Sequence, residues 1–282
     1  MRHPYRTQRI AFFFLFLATL LIVVPVGLIV VMIVLKGLPA INWQFLSDIP
    51  RQGMRAGGIF PAIVGTIYLV TGAIIFALPI GLLAAIYLSE YSKDNLLTRL
   101  IKLAIVNLAG VPSVVYGLFG LALFVVFFKF GASILSGSLT LGIMILPIII
   151  TTSREALESV PQSFREVSLS LGASKWQTIR HIVLPNAIPG ILTGTILGLG
   201  RAAGETAPIL FTVAAFYLPQ LPHSVFDQAM ALPYHLYVIS TQVPNVDEKI
   251  RYGTAFVLLT LVLFMNLVAI IIRTKFRKKK KW

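Results

Sequence analysis

The feature that most constrains this chain is a series of long segments that almost entirely lack charged side chains. Residues 10–35 and 56–89 contain no Asp, Glu, Lys or Arg. Four further apolar segments follow, at 103–128, 132–152, 186–218 and 254–272. A helix needs about 20 apolar residues to cross the hydrocarbon core of a bilayer. The sequence therefore predicts an all-α integral membrane protein with six transmembrane helices.

The first apolar segment, residues 10–35, is too long to be the core of a cleaved signal peptide. Such a core has about 7–15 apolar residues and is followed by a small-residue cleavage site. Neither feature is present here. We therefore expect a basic head at residues 1–9, followed by an uncleaved first span.

Basic residues dominate the charge balance, but their positions are those of a membrane protein. The chain has 24 Lys and Arg against 10 Asp and Glu, and only 12% of its residues are charged, about half the share in soluble domains. With six spans, 17 basic residues fall in inner segments and 6 in outer ones, as the positive-inside rule favours. Seven spans, with residues 186–218 crossing twice, would place the basic tail, residues 277–282, outside. We therefore expect both termini to be cytoplasmic and no nucleic acid to be bound.

A polar segment lies between the fourth and fifth spans, at residues 155–185. Ser-x-x-Gln begins at Ser159 and again at Ser174, and this spacing predicts two capping boxes and two short helices. Gly172 lies between them and can adopt the left-handed conformation that ends a helix. Pro185 is expected to end the second helix. Four side chains are expected to keep the segment solvated: Arg165, Lys175, Arg180 and His181.

The same polar segment carries an extended motif. Glu166, Gly172 and residues 182–185 follow the pattern E-x5-G-x9-I-x-L-P, which resembles the EAA loop of permease subunits in ABC importers. Val167 and Ser168 stand where the family has two alanines. The resemblance implies a type I importer permease architecture, in which this loop, residues 153–185, docks on an ATP-hydrolysing subunit. The coupling residues that it implies are Glu166, Gly172, Ala173, Trp176, Ile182 and Pro185.

The fifth span carries regularly spaced small residues and two charges. Gly190, Gly194 and Gly198 recur every four residues, which lets another helix approach closely. We expect that helix to belong to a sister permease, although a helix of the same chain is the alternative. Arg201 and Glu205 are also four apart and can pair along a helix. Because charges inside a bilayer are costly, they indicate either a substrate pathway or a permanent structural pair.

Two segments resemble phosphate-import permeases of the PstA type. They are residues 200–208, Gly-Arg-Ala-Ala-Gly-Glu-Thr-Ala-Pro, and residues 231–235, Ala-Leu-Pro-Tyr-His. The resemblance covers residues 57–276, which define the expected permease core, and it implies a bacterial or archaeal plasma membrane. It also implies a substrate pathway that includes Arg201, Glu205 and Thr206. The implied partners are a PstC-like sister permease, a PstB-like ATPase dimer, a PstS-like extracytoplasmic phosphate-binding protein and membrane lipid.

Several motifs that indicate other functions are absent from the sequence. There is no Gly-Lys dipeptide, so a Walker A loop is excluded and ATP must be hydrolysed by another chain. Cysteine, His-Glu-x-x-His and Gly-x-Ser-x-Gly are also absent, so we expect no catalytic residue, no metal and no cofactor. His181 and His235 are expected to be polar surface residues. The alternative functions are a permease for sulfate or molybdate, and a secondary transporter or channel.

Overall fold

The computed structural model describes residues 4–278 and is built from α-helices with one small β-hairpin. The helices are α1 (Pro4–Gly37), α2 (Trp43–Ser47), α3 (Phe60–Ile86), α4 (Leu96–Ala109), α5 (Ser113–Gly120), α6 (Ile134–Glu158), α7 (Gln162–Ser170), α8 (Lys175–Thr178), α9 (Leu184–Gly204), α10 (Ala207–Thr212), α11 (Leu232–Thr241) and α12 (Glu248–Lys278). Strands β1 (Pro50–Arg51) and β2 (Ala56–Gly57) pair in antiparallel orientation. Residues 1–3 of the predicted basic head and 279–282 of the predicted basic tail lie outside the described residues.

The number of membrane-crossing helices agrees with the prediction when one bent pair is counted as a single span. Five helical stretches are long and apolar enough to cross a membrane: Gln8–Ala40, Phe60–Tyr91, Ile134–Glu158, Lys175–Gly204 and Glu248–Arg277. Helices α4 and α5 pass the same test together but are bent by 102°. The all-α membrane fold is therefore confirmed, with five spans or six.

The third predicted span, residues 103–128, differs from the structure at its start and in its middle. Helix α4 begins earlier because Asn95 Oδ1 accepts a hydrogen bond from the Thr98 backbone N–H at 2.9 Å, which caps the helix. The break lies at residues 110–112, where Pro112 has no N–H to continue the helical ladder. Pro112 therefore interrupts the helix completely.

The second short helix of the polar segment does not end at Pro185, so that prediction is wrong. A π-helical turn, Ile179–Val183, joins α8 to α9. The Leu184 N–H donates to the carbonyl of Ile179, five residues back, instead of the carbonyl four residues back. Pro185 then falls in the first turn of α9, where its missing N–H costs little. The result is one continuous helix from Lys175 to Gly204.

The core of the molecule lies between α3, α6 and α9. Helix α6 packs against α3 and α9, and α12 packs on the outside of α9. Apolar side chains at this centre are at most 2% exposed, among them Leu69, Leu141, Met144, Ile145 and Ile149. Helix α1 packs against α12 at the periphery, and nearly all of its side chains from residue 8 to 32 are exposed. Such exposure of apolar side chains suits a helix surrounded by lipid.

The connections between the spans gather at two ends of this bundle. We call the end formed by residues 87–95 and 158–185 the loop end. The opposite end is formed by residues 38–59, 128–133 and 213–247. At the opposite end, the Leu232 N–H donates to Thr66 Oγ1 at 2.8 Å, which fixes the start of α11 on α3.

His235, on α11, is buried and therefore not the surface residue expected from the sequence. Its exposed fraction is 2%, and its Nδ1 atom has no hydrogen-bond partner among the described residues. Burial lowers the pKa of His235 to about 4, because the imidazolium form would lose its hydration. Helix α11 lies outside the helical stretches that are long and apolar enough to cross a membrane.

This depressed pKa predicts an acid-dependent loss of stability. The pKa of His235 is 6.5 in the unfolded chain and about 4 in the folded chain. The folding stability that depends on the neutral imidazole is therefore complete above pH 6.5 and decreases as the pH falls from 6.5 to about 4. At pH 5 the loss is about 2 kcal/mol. The test is the thermal unfolding midpoint in detergent at pH 7.5 and pH 5. His235→Gln is expected to reduce the difference, whereas His181→Gln, at an exposed position, is expected to leave it unchanged. Equal pH dependence in wild type and His235→Gln would contradict the assignment.

Candidate functional site

The turn at the centre of the polar segment has the predicted backbone conformation. Gly172 has φ +83°, in the left-handed region that favours glycine. Its N–H donates to the Leu169 carbonyl at 3.0 Å, and the Ala173 N–H donates to the Ser168 carbonyl at 3.2 Å. These two bonds satisfy carbonyls at the end of α7 that have no partner within the helix.

One of the two predicted capping boxes is present. The Gln177 N–H donates to Ser174 Oγ at 3.3 Å, and the Ser174 N–H donates to Gln177 Oε1 at 2.7 Å. The box predicted at Ser159 is wrong, because Ser159 ends α6 and its hydroxyl donates to the Ala156 carbonyl at 2.8 Å. Pro161 occupies the N-cap position of α7 instead.

The surface of the polar segment exposes large apolar side chains. Leu171 is 83% exposed, Val167 60%, Trp176 50% and Leu169 49%. The interior side of the segment is fixed on the bundle by a separate apolar cluster: Ala85, Ile86, Ala156, Leu157, Val160, Ile179, Val183, Ala187 and Ile191. Exposed apolar side chains grouped in this way are typical of interaction surfaces.

The predicted coupling residues are distributed over this segment. Glu166, Gly172, Trp176 and Pro185 are exposed, whereas Ala173 and Ile182 are half-buried. The hydroxyls of Ser168 and Thr178 share a buried hydrogen bond of 2.9 Å, which holds α7 against α8. The structure therefore presents the motif as one folded unit, here called the coupling loop, residues 159–185. Residues 153–158 of the predicted loop belong to the end of α6 instead.

Arg165 was expected to be solvated, and that prediction is wrong. Its side chain is 12% exposed and forms an ion pair with Glu90, whose side chain is 7% exposed. Two nitrogens face the carboxylate: Nη2 donates to Oε1 at 2.7 Å and Nε donates to Oε2 at 3.2 Å. Further bonds run to the carbonyls of Leu157 and Val160, at 2.9 and 2.7 Å. Sequence spacing gives no signal for this contact, because Glu90 and Arg165 are 75 positions apart.

The charged pair of the fifth span lies where the helix ends. Arg201 is in the last turn of α9, and Glu205 follows the helix with extended backbone angles, φ −77° and ψ 136°. Residues 186–218 contain one helix long enough to cross a membrane, as predicted, but this helix ends at Gly204, before the end of the apolar segment. Arg201 Nε and Glu205 Oε1 are nevertheless 3.5 Å apart, and the two side chains are 30% and 19% exposed. Thr206 is half-buried and precedes the short helix α10.

The stripe of small residues on α9 packs within the chain. An added Cβ on Gly190 would overlap Ala156 Cβ, and one on Gly194 would overlap Thr152 Oγ1; both neighbours belong to α6. A Cβ on Gly198 would lie 3.6 Å from Ile145, also on α6. The expectation that this stripe contacts a sister subunit is therefore wrong, and the same-chain alternative is correct.

A polar contact between α9 and α12 was not expected from the sequence. Arg273 Nη1 donates to Thr193 Oγ1 at 3.2 Å. One heptad away on each helix, Asn266 lies beside Gly200, whose added Cβ would be 3.4 Å from Nδ2. Asn266 Oδ1 is buried without a hydrogen-bond partner within residues 4–278. The two contacts align because equivalent heptad positions face each other on two antiparallel helices. The sequence could not predict them, because it does not show that α9 lies beside α12.

Comparison with known families identifies the class of protein. Residues 77–282 match the family described as the binding-protein-dependent transport system inner membrane component. This range includes α4 to α12 and therefore both the coupling loop and the Arg201–Glu205 pair.

Similar proteins of known name cover most of the chain. The probable ABC transporter permease protein YqgI of Bacillus subtilis is 33% identical over 261 residues, 88% of each chain. The phosphate transport system permease protein PstA 1 of Mycobacterium tuberculosis is 37% identical over 77% of this chain and 71% of its own length. PstA of Mycobacterium leprae is 34% identical over 92% of this chain and 86% of its own length.

Solved structures show the same fold at low sequence identity. A chain of a bacterial ABC transporter involved in the import of alginate has a TM-score of 0.60 and 17% identity, over 93% of this chain and 94% of its own. A chain of the inward-facing MetNI methionine ABC transporter has a TM-score of 0.59 and 16% identity, over 78% and 94%. The chain therefore belongs to the inner-membrane permease family of binding-protein-dependent ABC transport systems.

Proposed function

We propose that this chain is the permease subunit of an ATP-driven phosphate importer, with the loop end and both termini on the cytoplasmic side. The observation that carries the proposal is the continuous helix Lys175–Gly204, which has coupling-loop residues at one end and Arg201 at the other. At about 1.5 Å per residue, these ends are roughly 39 Å apart. Movement of the coupling loop can therefore reach Arg201 without crossing a flexible connection.

The coupling loop supports docking on an ATPase subunit. Trp176, Leu171 and Glu166 are all exposed in this loop, so its surface offers both apolar area and a charge. Aromatic side chains of this kind contribute strongly to the centre of protein interfaces. Since the sequence has no Walker A loop, we assign ATP hydrolysis to a PstB-like dimer that binds here. A PstC-like sister permease and a PstS-like binding protein complete the proposed importer.

The side-chain chemistry of Arg201 supports the proposal that the substrate is an anion. A guanidinium is permanently charged and presents a planar set of N–H donors that matches two phosphate oxygens. Its side chain is partly exposed, and its Nε atom lies 3.5 Å from Glu205 Oε1. In the proposed mechanism, Glu205 neutralises Arg201 when no anion is present, and the anion displaces the carboxylate during passage. The names of the PstA relatives favour phosphate over other oxyanions.

The substrate is tested by transport in proteoliposomes that contain this chain, its sister permease and the ATPase, supplied with the phosphate-binding protein. We expect ATP-dependent uptake of labelled phosphate that excess unlabelled phosphate inhibits and excess sulfate or molybdate does not. Uptake of sulfate or molybdate in place of phosphate would assign a different oxyanion. Uptake that persists without ATP would indicate a secondary transporter or a channel.

Gly172→Val is expected to uncouple the importer. The left-handed conformation costs a residue with a Cβ about 1–2 kcal/mol, and β-branched residues more, so the turn between α7 and α8 should be displaced. Phosphate uptake should fall roughly fivefold or more at unchanged membrane insertion. The matched control is Gly131→Val, because Gly131 has φ +69° and open space around it at the opposite end. Equal uptake by the two variants would contradict the coupling role of this turn.

A further inference from the structure

The ion pair between Arg165 and Glu90 connects three parts of the molecule at the loop end. Arg165 is on α7, in the coupling loop, whereas Glu90 lies in the π-helical turn that extends α3. The carbonyls of Leu157 and Val160, which also accept hydrogen bonds from Arg165, belong to the end of α6 and the residues after it. One side chain therefore joins the coupling loop to the two helices at the centre of the bundle.

The chemistry of these contacts is specific for arginine. The guanidinium forms a two-point contact with the carboxylate and, at the same time, donates to two carbonyls. The last carbonyls of a helix have no partner within the helix and attract a cation. A lysine ammonium has one nitrogen and lacks the planar fork, so it cannot reproduce this set of bonds.

Stability alone does not account for a buried ion pair of this kind. Removing two charges from water costs free energy that their attraction often fails to recover, so replacement by apolar residues is frequently neutral. The Ser168–Thr178 bond and the apolar cluster already hold the coupling loop together and against the bundle. Phe164 of α7 packs on this cluster as well. What Arg165 adds to these apolar contacts is a directional, hydrogen-bonded connection from α7 to α3 and α6.

We propose that Arg165 is a positioning residue that transmits movement of the coupling loop to α3 and α6, with Glu90 as its partner. The proposal rests on the proposed function. The continuous helix Lys175–Gly204 carries the movement directly into the fifth span. The Arg165–Glu90 pair extends it to the second and fourth spans, so all three central helices shift together when the ATPase closes.

The experiment measures phosphate imported per ATP hydrolysed in proteoliposomes containing the complete importer. Arg165→Gln is expected to lower this ratio at least about fivefold, the lower end of typical coupling between sites, while ATP hydrolysis continues. Glu90→Gln should act in the same direction, and Arg165→Lys should be intermediate. Arg154→Gln is the matched control, since Arg154 pairs with Glu158 at 2.9 Å within one helix, and within residues 4–278 its side chain forms no ion pair or hydrogen bond to another element.

The outcomes separate this proposal from the proposed function. Absence of ATP-dependent phosphate import by the wild-type chain would overturn the proposed function itself. With import by the wild type established, an unchanged ratio in Arg165→Gln and Glu90→Gln would overturn the role of the pair. The proposal would also be overturned if Arg165→Gln, Glu90→Gln and Arg165→Lys lost the partner subunits while Arg154→Gln retained them, because the pair would then be needed for assembly only.

Discussion

Replacing Arg201 with alanine is expected to reduce phosphate uptake at least about tenfold, because hydrogen bonds to a charged group contribute about 1.5–3 kcal/mol. Arg201→Lys should also transport poorly, since the ammonium keeps the charge but loses the two-point contact with phosphate oxygens. Uptake of labelled phosphate and the amount of assembled transporter are to be measured on the same membranes. That comparison separates a loss of transport from a loss of protein.

The double variant Arg201→Ala with Glu205→Ala distinguishes a substrate pathway from a structural pair. Removal of one partner leaves a partly buried charge uncompensated, whereas removal of both does not. A structural pair therefore predicts that the double variant recovers both assembly and uptake. A pathway arginine predicts normal assembly without uptake. Full uptake by the double variant would contradict the role of Arg201 in the pathway.

Gly194→Leu is expected to destabilise the chain by at least about 2 kcal/mol, because forcing extra atoms into a packed contact costs about 1–3 kcal/mol. Even the first added carbon would overlap Thr152 Oγ1 and lie 2.8 Å from Thr152 Cβ on α6. The side chain would push α9 away from α6 and, with it, the helix that carries Arg201. The measurement is the thermal unfolding midpoint of the purified chain in detergent.

Two alanine substitutions on the same helix serve as controls. A Cβ on Gly198 would make ordinary contacts at 3.6 Å, and one on Gly204 would meet nothing within 4 Å. We therefore expect Gly194→Ala to lower the unfolding midpoint, and Gly198→Ala and Gly204→Ala to leave it nearly unchanged. An identical midpoint for Gly194→Ala and Gly198→Ala would contradict the packing described here. If the Gly194 variants had normal unfolding midpoints but no longer bound the sister permease, the glycine stripe would instead be assigned to a contact with that subunit.

The parts of the fold that depend on nearby residues could be predicted from the sequence. Long apolar segments located the spans because a bilayer demands continuous apolar length. Gly172 and the Ser174–Gln177 box were predicted correctly because their hydrogen bonds connect residues at most five apart. The capping box at Ser159 was predicted by the same spacing and is wrong, because the Ser159 hydroxyl donates to the Ala156 carbonyl at the end of α6.

The parts that depend on tertiary packing could not be predicted from the sequence. The partner of the glycine stripe requires knowledge that α6 lies beside α9. The Arg165–Glu90 pair joins residues 75 positions apart, and no local pattern indicates that a charged side chain in a polar segment is buried. The π-helical turn before Pro185 likewise shifts the hydrogen bonds by one residue, so a proline that normally ends a helix is retained within one.

The central claim is that the coupling loop and Arg201 move as one unit because they share the helix Lys175–Gly204. The chain has no cysteine, so spin labels can be attached at Arg180→Cys, which is exposed, and Gly204→Cys, which has open space around it. Double electron–electron resonance on the active importer should give about 36 Å between the labelled positions. We predict that this distance changes by no more than about 1.5 Å, the rise of one helical residue, when ATP binds to the partner subunits. A clear shortening on ATP binding would show that the helix bends between the two labels, and it would contradict the account.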